Sequence, residues 1–254
     1  MTAPSRTDLD PVRGAHEAGW RGRSRALALR VAPEIRGLAG FLGIAGLVLG
    51  FGLLAEKVSQ GGTAAFDRHV LLLFRDPADL RRVVGPAWLL ETLRDLTSLG
   101  STVVLGLLVL LVATYLAMRR KWADFALVLA AVLSGQVASL ALKLVFVRAR
   151  PDLVPGAPQV FTTSFPSAHA MLSAVTYLTL GVLLSRLETH RACKRYFIAV
   201  AMVLTLTVGA SRVVLGVHWP TDVLAGWCVG AAWALLCSLV AIRLQGRGKL
   251  ETLS

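Results

Sequence analysis

The chain has 254 residues, of which 55% are hydrophobic and only 17% charged, with a mean hydropathy of +0.64. A soluble domain carries about 25% charged residues, so the composition excludes an ordinary soluble globular protein and points to a polytopic membrane protein. The net charge of +12 does not mark a nucleic-acid binder, because Lys and Arg lie in short clusters between apolar runs and form no single patch.

Residues 1–36 combine Pro, Gly, acidic residues and seven arginines. They read as a basic cytoplasmic tail, mobile or loosely held to anionic lipid through its arginines, and without a catalytic role. Six apolar runs then reach the length of a membrane span, about 17 to 20 residues; they cover 37–55, 101–118, 123–142, 168–185, 196–215 and 223–242. The first run competes with a cleaved signal peptide, but its long basic lead-in and its apolar length, beyond the roughly 7 to 15 residues of a signal core, favour a retained helix.

Between the first and second runs, residues 56–100 carry six basic and six acidic residues. Within them Phe66 to Phe74 and Val83 to Leu93 read as amphipathic pieces too brief to span, lying in the interface with Trp88 as an anchor and shaping a lipid entrance. The expected fold is all-α: an integral membrane six-helix bundle over residues 37–245, followed by a short cytoplasmic tail, 246–254. Cys193, Cys228 and Cys237 have no metal-type spacing and read as small packing residues without disulfides.

If the six helices alternate, 17 of the 27 Lys and Arg residues fall on one side. The positive-inside rule makes that side cytoplasmic and puts both termini there. Six of the ten outside basic residues sit in the 56–100 loop, where acids offset them. The other four, Lys143, Arg148, Arg150 and Arg212, flank the outer ends of the third and fifth helices with no acid beside them except Asp152. Snorkelling anchors are the plain alternative, but anchors of this kind are favoured inside, and these four cluster with His169, His218 and Asp222.

Ionisable residues beside spans are functional candidates, and this set suggests an anion site. Lysine offers a point charge and arginine a planar fork matched to phosphate oxygens. Ser167 falls at the N-cap of the fourth helix, where its hydroxyl and the free N–H groups behind it, beginning with Ala168, can meet an anion. Pro220 suits the first turn of the sixth helix. There Asp222 can reach back four residues to one imidazole nitrogen of His218, fixing the tautomer and leaving the other nitrogen free to attack phosphorus.

Lys143 with Arg150-Pro151, then Pro166-Ser167-Ala168-His169, then Ser211-Arg212 with His218 and Asp222, resemble in order and spacing the three-part signature of the type 2 phosphatidic acid phosphatase family. The superfamily also holds glucose-6-phosphatase and the vanadium haloperoxidases. The resemblance covers about residues 100–242; its second part more often reads Pro-Ser-Gly-His, and Ala168 stands here in place of Gly. A helical start tolerates alanine unless the backbone needs a positive φ.

The resemblance implies that Lys143, Arg150, Arg212, Ser167 and the Ala168 N–H hold phosphate, that His218 attacks phosphorus with Asp222 orienting it, and that His169 protonates the leaving oxygen and then activates water. It implies no metal or other cofactor, a lipid phosphate or diphosphate as substrate, no obligatory protein partner and no nucleic acid. Ser211 matches the motif and Arg148 does not, so both rank second. Phosphotransfer on the same scaffold, lipid A phosphatase activity and a non-catalytic lipid-binding protein stand as alternatives. The soluble haloperoxidase branch is disfavoured by the six runs.

Overall fold

The computed structural model describes Ile35, residues 37–154 and residues 162–246, with side chains to 244. The basic tail before the first span, and the C-terminal tail from 247 on, lie outside the described residues. Contacts divide the chain after Leu42, and the helices that carry the site belong to the second unit, Gly43–Ser254.

The elements in order are α1 (Gly37–Ser59), α2 (Ala64–Leu72), β1 (Arg75–Asp76), β2 (Asp79–Val83), α3 (Ala87–Ser98), α4 (Thr102–Met118), α5 (Trp122–Val145), α6 (Ala168–Leu187), α7 (Arg191–Val214) and α8 (Pro220–Gly246). Helices dominate because a bilayer offers backbone groups no water, so each span must satisfy its own N–H and C=O groups. Five helices, α1 and α5 to α8, are long and apolar enough to cross a membrane. The remaining expected run, 101–118, is α4, which has 17 residues and joins α3 through a bend of 47°; the pair makes a sixth span if counted as one.

The segment between α1 and α4 departs from expectation. A helix does cover most of the first amphipathic piece, but Val83 ends a strand, and the second helix starts at Ala87 and runs to Ser98. The intervening antiparallel pair, Arg75 with Val83 and Asp76 with Asp79, is the one sheet among the described residues. Its turn is held by the Asp76 and Asp79 carboxylates, which accept from the backbone N–H groups of Ala78 and Arg81. Local hydrogen bonding of this kind competes with helix, and apolar periodicity does not reveal it.

The hub of the bundle is α6, in which two-thirds (67%) of the most apolar window is buried, against 6% in α1. It packs chiefly on α7 and α8, and next on α5. Small residues permit the close approach to α8: a Cβ on Gly226 would stand 2.7 Å from the Ser167 carbonyl oxygen, and one on Gly230 would stand 2.5 Å from that of Met171. Membrane helices meet through such small-residue stripes because packing, with no hydrophobic drive, must hold them. The outward surface is apolar, with Leu107, Leu111, Leu133, Leu144 and Val203 exposed, as a lipid-facing wall requires.

The α6–α8 seam matters for the site because it ties together the first turns of both helices. The Ser167 N–H donates to the Asp222 carbonyl at 3.0 Å. Phe51 and Phe146 pack against Phe165 at ring distances of 5.9 and 5.2 Å, anchoring the loop that leads into α6.

Candidate active site

The helix α7 ends just after Arg212, and its last turn closes through Leu215 N–H on Ser211 and Gly216 N–H on Val213. Gly216 then takes φ +74°, and a Cβ there would stand 2.6 Å from Val154. Only glycine meets both demands cheaply. The reversal delivers His218 to the mouth of α8, where Pro220 opens the helix and Asp222 sits in its first turn. The Asp222 carboxylate accepts from the Trp219 N–H at 2.9 Å, fixing its position relative to the turn.

Both His218 and Asp222 are buried. The Nδ1 of His218 faces Asp222 Oδ2 at 3.4 Å and Ser164 Oγ at 3.3 Å, while Ser164 donates its hydroxyl proton to Asp222 Oδ2. On the other side of the ring, Arg150 Nη1 lies 3.0 Å from Nε2. A guanidinium can only donate, so Nε2 must carry the lone pair and Nδ1 the proton. Burial pushes the His218 imidazole down to about 4; Asp222 opposes that shift and the Arg150 and Arg212 charges add to it. The ring is therefore neutral at physiological pH, with its lone pair aimed at the cationic face.

That face is built from three cations. Lys143 Nζ donates to the Thr163 carbonyl at 2.5 Å, and the Thr163 hydroxyl returns a bond to the Lys143 carbonyl. Arg150 donates to the carbonyls of Thr162 (2.9 Å) and Val217 (2.8 Å) and to the Thr162 hydroxyl. Burial lowers the Arg150 pKa and Asp222 opposes this. Arg212 donates to the Thr97 hydroxyl at 3.1 Å, so the α3 end of the bent pair also reaches the site. Among the described residues none of the three forms an ion pair with a carboxylate.

Two buried polar atoms here have no partner, Ser167 Oγ and Arg212 Nε. Ser167 occupies the N-cap of α6 as expected, but its side chain makes no capping bond. Ala168 begins the helix and is not among the positive-φ residues, so the backbone asks for no glycine there. His169, the second residue of α6, lies near Arg212, Arg150, Lys143 and the His218 ring. The structure thus brings together all the candidate residues at the α5, α6, α7 and α8 ends nearest one another.

Arg148 corrects the expectation of four cations without acids: it pairs with Asp67 at 2.7 Å and with Asp222 at 2.5 Å. Sequence reasoning missed three participants, Asp67, Ser164 and Thr97. The only hint for Asp67 was its place beside apolar Phe66 and Val70 in a helix-sized piece. Ser164 and Thr97 carried no spacing signal.

The region 123–245 matches the model of the PAP2 superfamily. Phosphatidylglycerophosphatase B of Bacillus subtilis is 32% identical over 192 residues, covering 72% of this chain and 87% of that protein. The chain belongs to the PAP2 superfamily. A further relative, lipid A 1-phosphatase of Rhizobium johnstonii, is 33% identical over 48% of this chain and 50% of its own length. The crystal structure of a transmembrane PAP2 type phosphatidylglycerolphosphate phosphatase from Bacillus subtilis superposes with a TM-score of 0.65 at 27% identity, covering 83% of this chain and 98% of that one. PAP2 membership and this likeness make the chain a multi-pass, largely helical membrane protein.

Proposed function

We propose that this PAP2 protein hydrolyses a lipid-borne phosphate or diphosphate through a phosphohistidine on His218, on the extracytoplasmic side of the membrane. The observation that carries this is the pairing of a neutral, oriented imidazole with a face of three cations that no carboxylate neutralises. A phosphate dianion is the guest that satisfies such a face, and it would also supply acceptors to Ser167 Oγ and Arg212 Nε.

In the first step Nε2 of His218 attacks phosphorus, and the P–O bond to the lipid breaks as His169 gives its proton to the departing oxygen. The imidazole becomes positively charged, and Asp222 and Ser164 stabilise it at Nδ1. In the second step His169 takes a proton from water, the resulting hydroxide attacks phosphorus, and the P–N bond breaks to release inorganic phosphate and restore His218. Lys143, Arg150 and Arg212, with the N–H groups from Ala168 onward, hold the equatorial oxygens, so the developing charge meets fixed donors. The Arg150 N–H that now rests on Nε2 is in place to donate to a phosphate oxygen arriving there. No metal or cofactor enters either step.

The outward orientation rests on the distribution of basic residues, which by the positive-inside rule would also put both termini inside. Undecaprenyl diphosphate, phosphatidylglycerol phosphate and phosphatidic acid are the substrates to try first. The test is release of phosphate from these lipids by purified protein in chelator, native against His218→Ala. Turnover by the variant at the native rate would rule out the nucleophile, and loss of activity in chelator would rule out the metal-free route. Labelled phosphate appearing on a second lipid would make the enzyme a phosphotransferase. A cysteine at position 157 labelled only from the cytoplasm would invert the topology.

A further inference from the structure

The geometry points to Asp67 and Arg148 as positioning residues: a carboxylate–guanidinium couple, set behind the reacting groups, that holds Asp222 against His218. The inference rests on the assignment of His218 as nucleophile and deepens it. Neither residue belongs to the cationic face, and the pattern of their bonds says why.

Arg148 divides its guanidinium between two carboxylates. Its Nη1 donates to Asp222 Oδ1 at 2.5 Å and to the Thr221 hydroxyl at 2.8 Å; its Nη2 donates to Asp67 Oδ2 at 2.7 Å and to the Thr63 hydroxyl at 3.3 Å. Its plane lies 5.7 Å from the centre of the Trp219 ring. The charge of Arg148 is thus neutralised inside the protein, whereas Lys143, Arg150 and Arg212 hold only uncharged partners: carbonyls, hydroxyls and, for Arg150, Nε2 of His218. A phosphate would gain little from Arg148.

Asp67 is fully buried and also grips α8 directly. Its Oδ1 accepts from the Thr221 N–H at 3.0 Å and its Oδ2 from the Thr221 hydroxyl at 2.7 Å. That N–H is one of the free donors of a helix start, so a residue of α2 supplies part of the cap of α8.

The consequence for chemistry follows from the two oxygens of Asp222. With Oδ1 fixed by Arg148, Oδ2 is directed to Ser164, Trp219 N–H and His218 Nδ1. The terminal torsion of an aspartate is broad, and the Oδ1 contact narrows it. Removing Arg148 alone would free that torsion and leave two buried carboxylates, Asp67 and Asp222, sharing no cation. Removing Asp67 as well relieves the second fault, so the two changes must be strongly coupled.

The test uses the full-length chain in detergent, on a lipid phosphate it hydrolyses, comparing Arg148→Gln, Asp67→Asn, their double variant and Arg148→Lys with native protein and His218→Ala. Loss of an orienting partner behind a reacting group costs about 10- to 100-fold by analogy with metal-site ligands. The expected result is kcat down about 100-fold in Arg148→Gln and about 10-fold in Asp67→Asn, with KM within about twofold. The double variant should be no worse than Arg148→Gln, and Arg148→Lys should recover part of the loss. Native kcat in folded variants, a raised KM at unchanged kcat, or losses that multiply independently would overturn the couple. If Arg148→Gln does not fold, Asp67→Asn and Arg148→Lys decide by their kcat and KM. Native turnover by His218→Ala overturns the nucleophile and the couple together, whereas native kcat in the couple's variants beside an inactive His218→Ala overturns the couple alone.

Discussion

The two sides of the His218 ring are built on opposite plans. On the Nδ1 side every side-chain oxygen of Asp222 is engaged, by Ser164, Trp219 N–H, His218 and Arg148, and the one cation there, Arg148, is paired with two carboxylates. On the Nε2 side three cations rest on neutral acceptors, and the buried Ser167 Oγ and Arg212 Nε have none. A saturated region is rigid and defines orientation, while an unsaturated cationic one stores binding capacity for an anion. The difference teaches that burial alone does not identify function in this bundle; what separates the two regions is whether their charges are already spent.

The comparison breaks most severely at the ring itself. His218→Ala should lower kcat on the order of 10⁶-fold, the scale seen when a covalent nucleophile is removed, and phosphoenzyme trapped by acid quench from labelled substrate should disappear. Labelled phosphoenzyme persisting in the variant would place the nucleophile elsewhere. On the unsaturated side, Arg212→Ala should lower kcat/KM by about 10²- to 10³-fold, as for loss of one preorganised donor to developing charge. Arg212→Lys should recover a minor part, since a point charge replaces a fork. Full recovery by lysine would mean that charge alone, and not the fork geometry, matters there.

The pH profile tests the same contrast through one group. His218 must be neutral to attack, and burial has taken its pKa down from the ordinary 6.5 to about 4. The limb set by His218 should therefore lie near 4 and not near 6.5, and below it the unprotonated fraction of His218 drops about tenfold per pH unit. The Arg150 charge contributes to the lowering, so Arg150→Gln should move this limb to higher pH. Single-turnover rates between pH 3 and 8 would measure it, and a native limb at 6.5 would show that the ring is far better solvated than its burial indicates.

The unsaturated side was legible in the sequence and the saturated side was not, for a physical reason. Lys143, Arg150 and Arg212 stand out because cations at outer helix ends break the charge asymmetry of a membrane protein, and Ser167, His169, His218 and Asp222 sit at helix starts that apolar runs locate. Asp67 has no such signature: it lies 155 residues before Asp222, in a loop where six acids nominally offset six bases, and only the packing of α2 on α8 brings it to Thr221. Arg148 looked like a fourth free cation for the same reason, since its partners are distant in the chain. The hairpin between β1 and β2 escaped because its carboxylate-capped turn leaves no mark on apolar periodicity.

The smallest expected effect separates the two plans most cleanly, because it compares two serines three residues apart. Ser164 and Ser167 are both fully buried, but Ser164 donates to Asp222 while Ser167 Oγ touches no acceptor or donor and does not cap α6. Ser164→Ala removes a partner from a buried carboxylate and should cost about 1 to 3 kcal/mol of stability, together with part of kcat. Ser167→Ala removes no hydrogen bond within the fold, so stability should change by less than about 0.5 kcal/mol. Its loss should appear only with substrate, as a fall of about 10-fold or less in kcat/KM from one missing hydrogen bond to phosphate. Thermal unfolding in detergent, with and without inorganic phosphate, reads both. If Ser167→Ala is as destabilising as Ser164→Ala, its hydroxyl has a structural partner and the unsaturated side loses one of its two open atoms. If it is neutral alone but no longer stabilised by phosphate, the hydroxyl belongs to the anion.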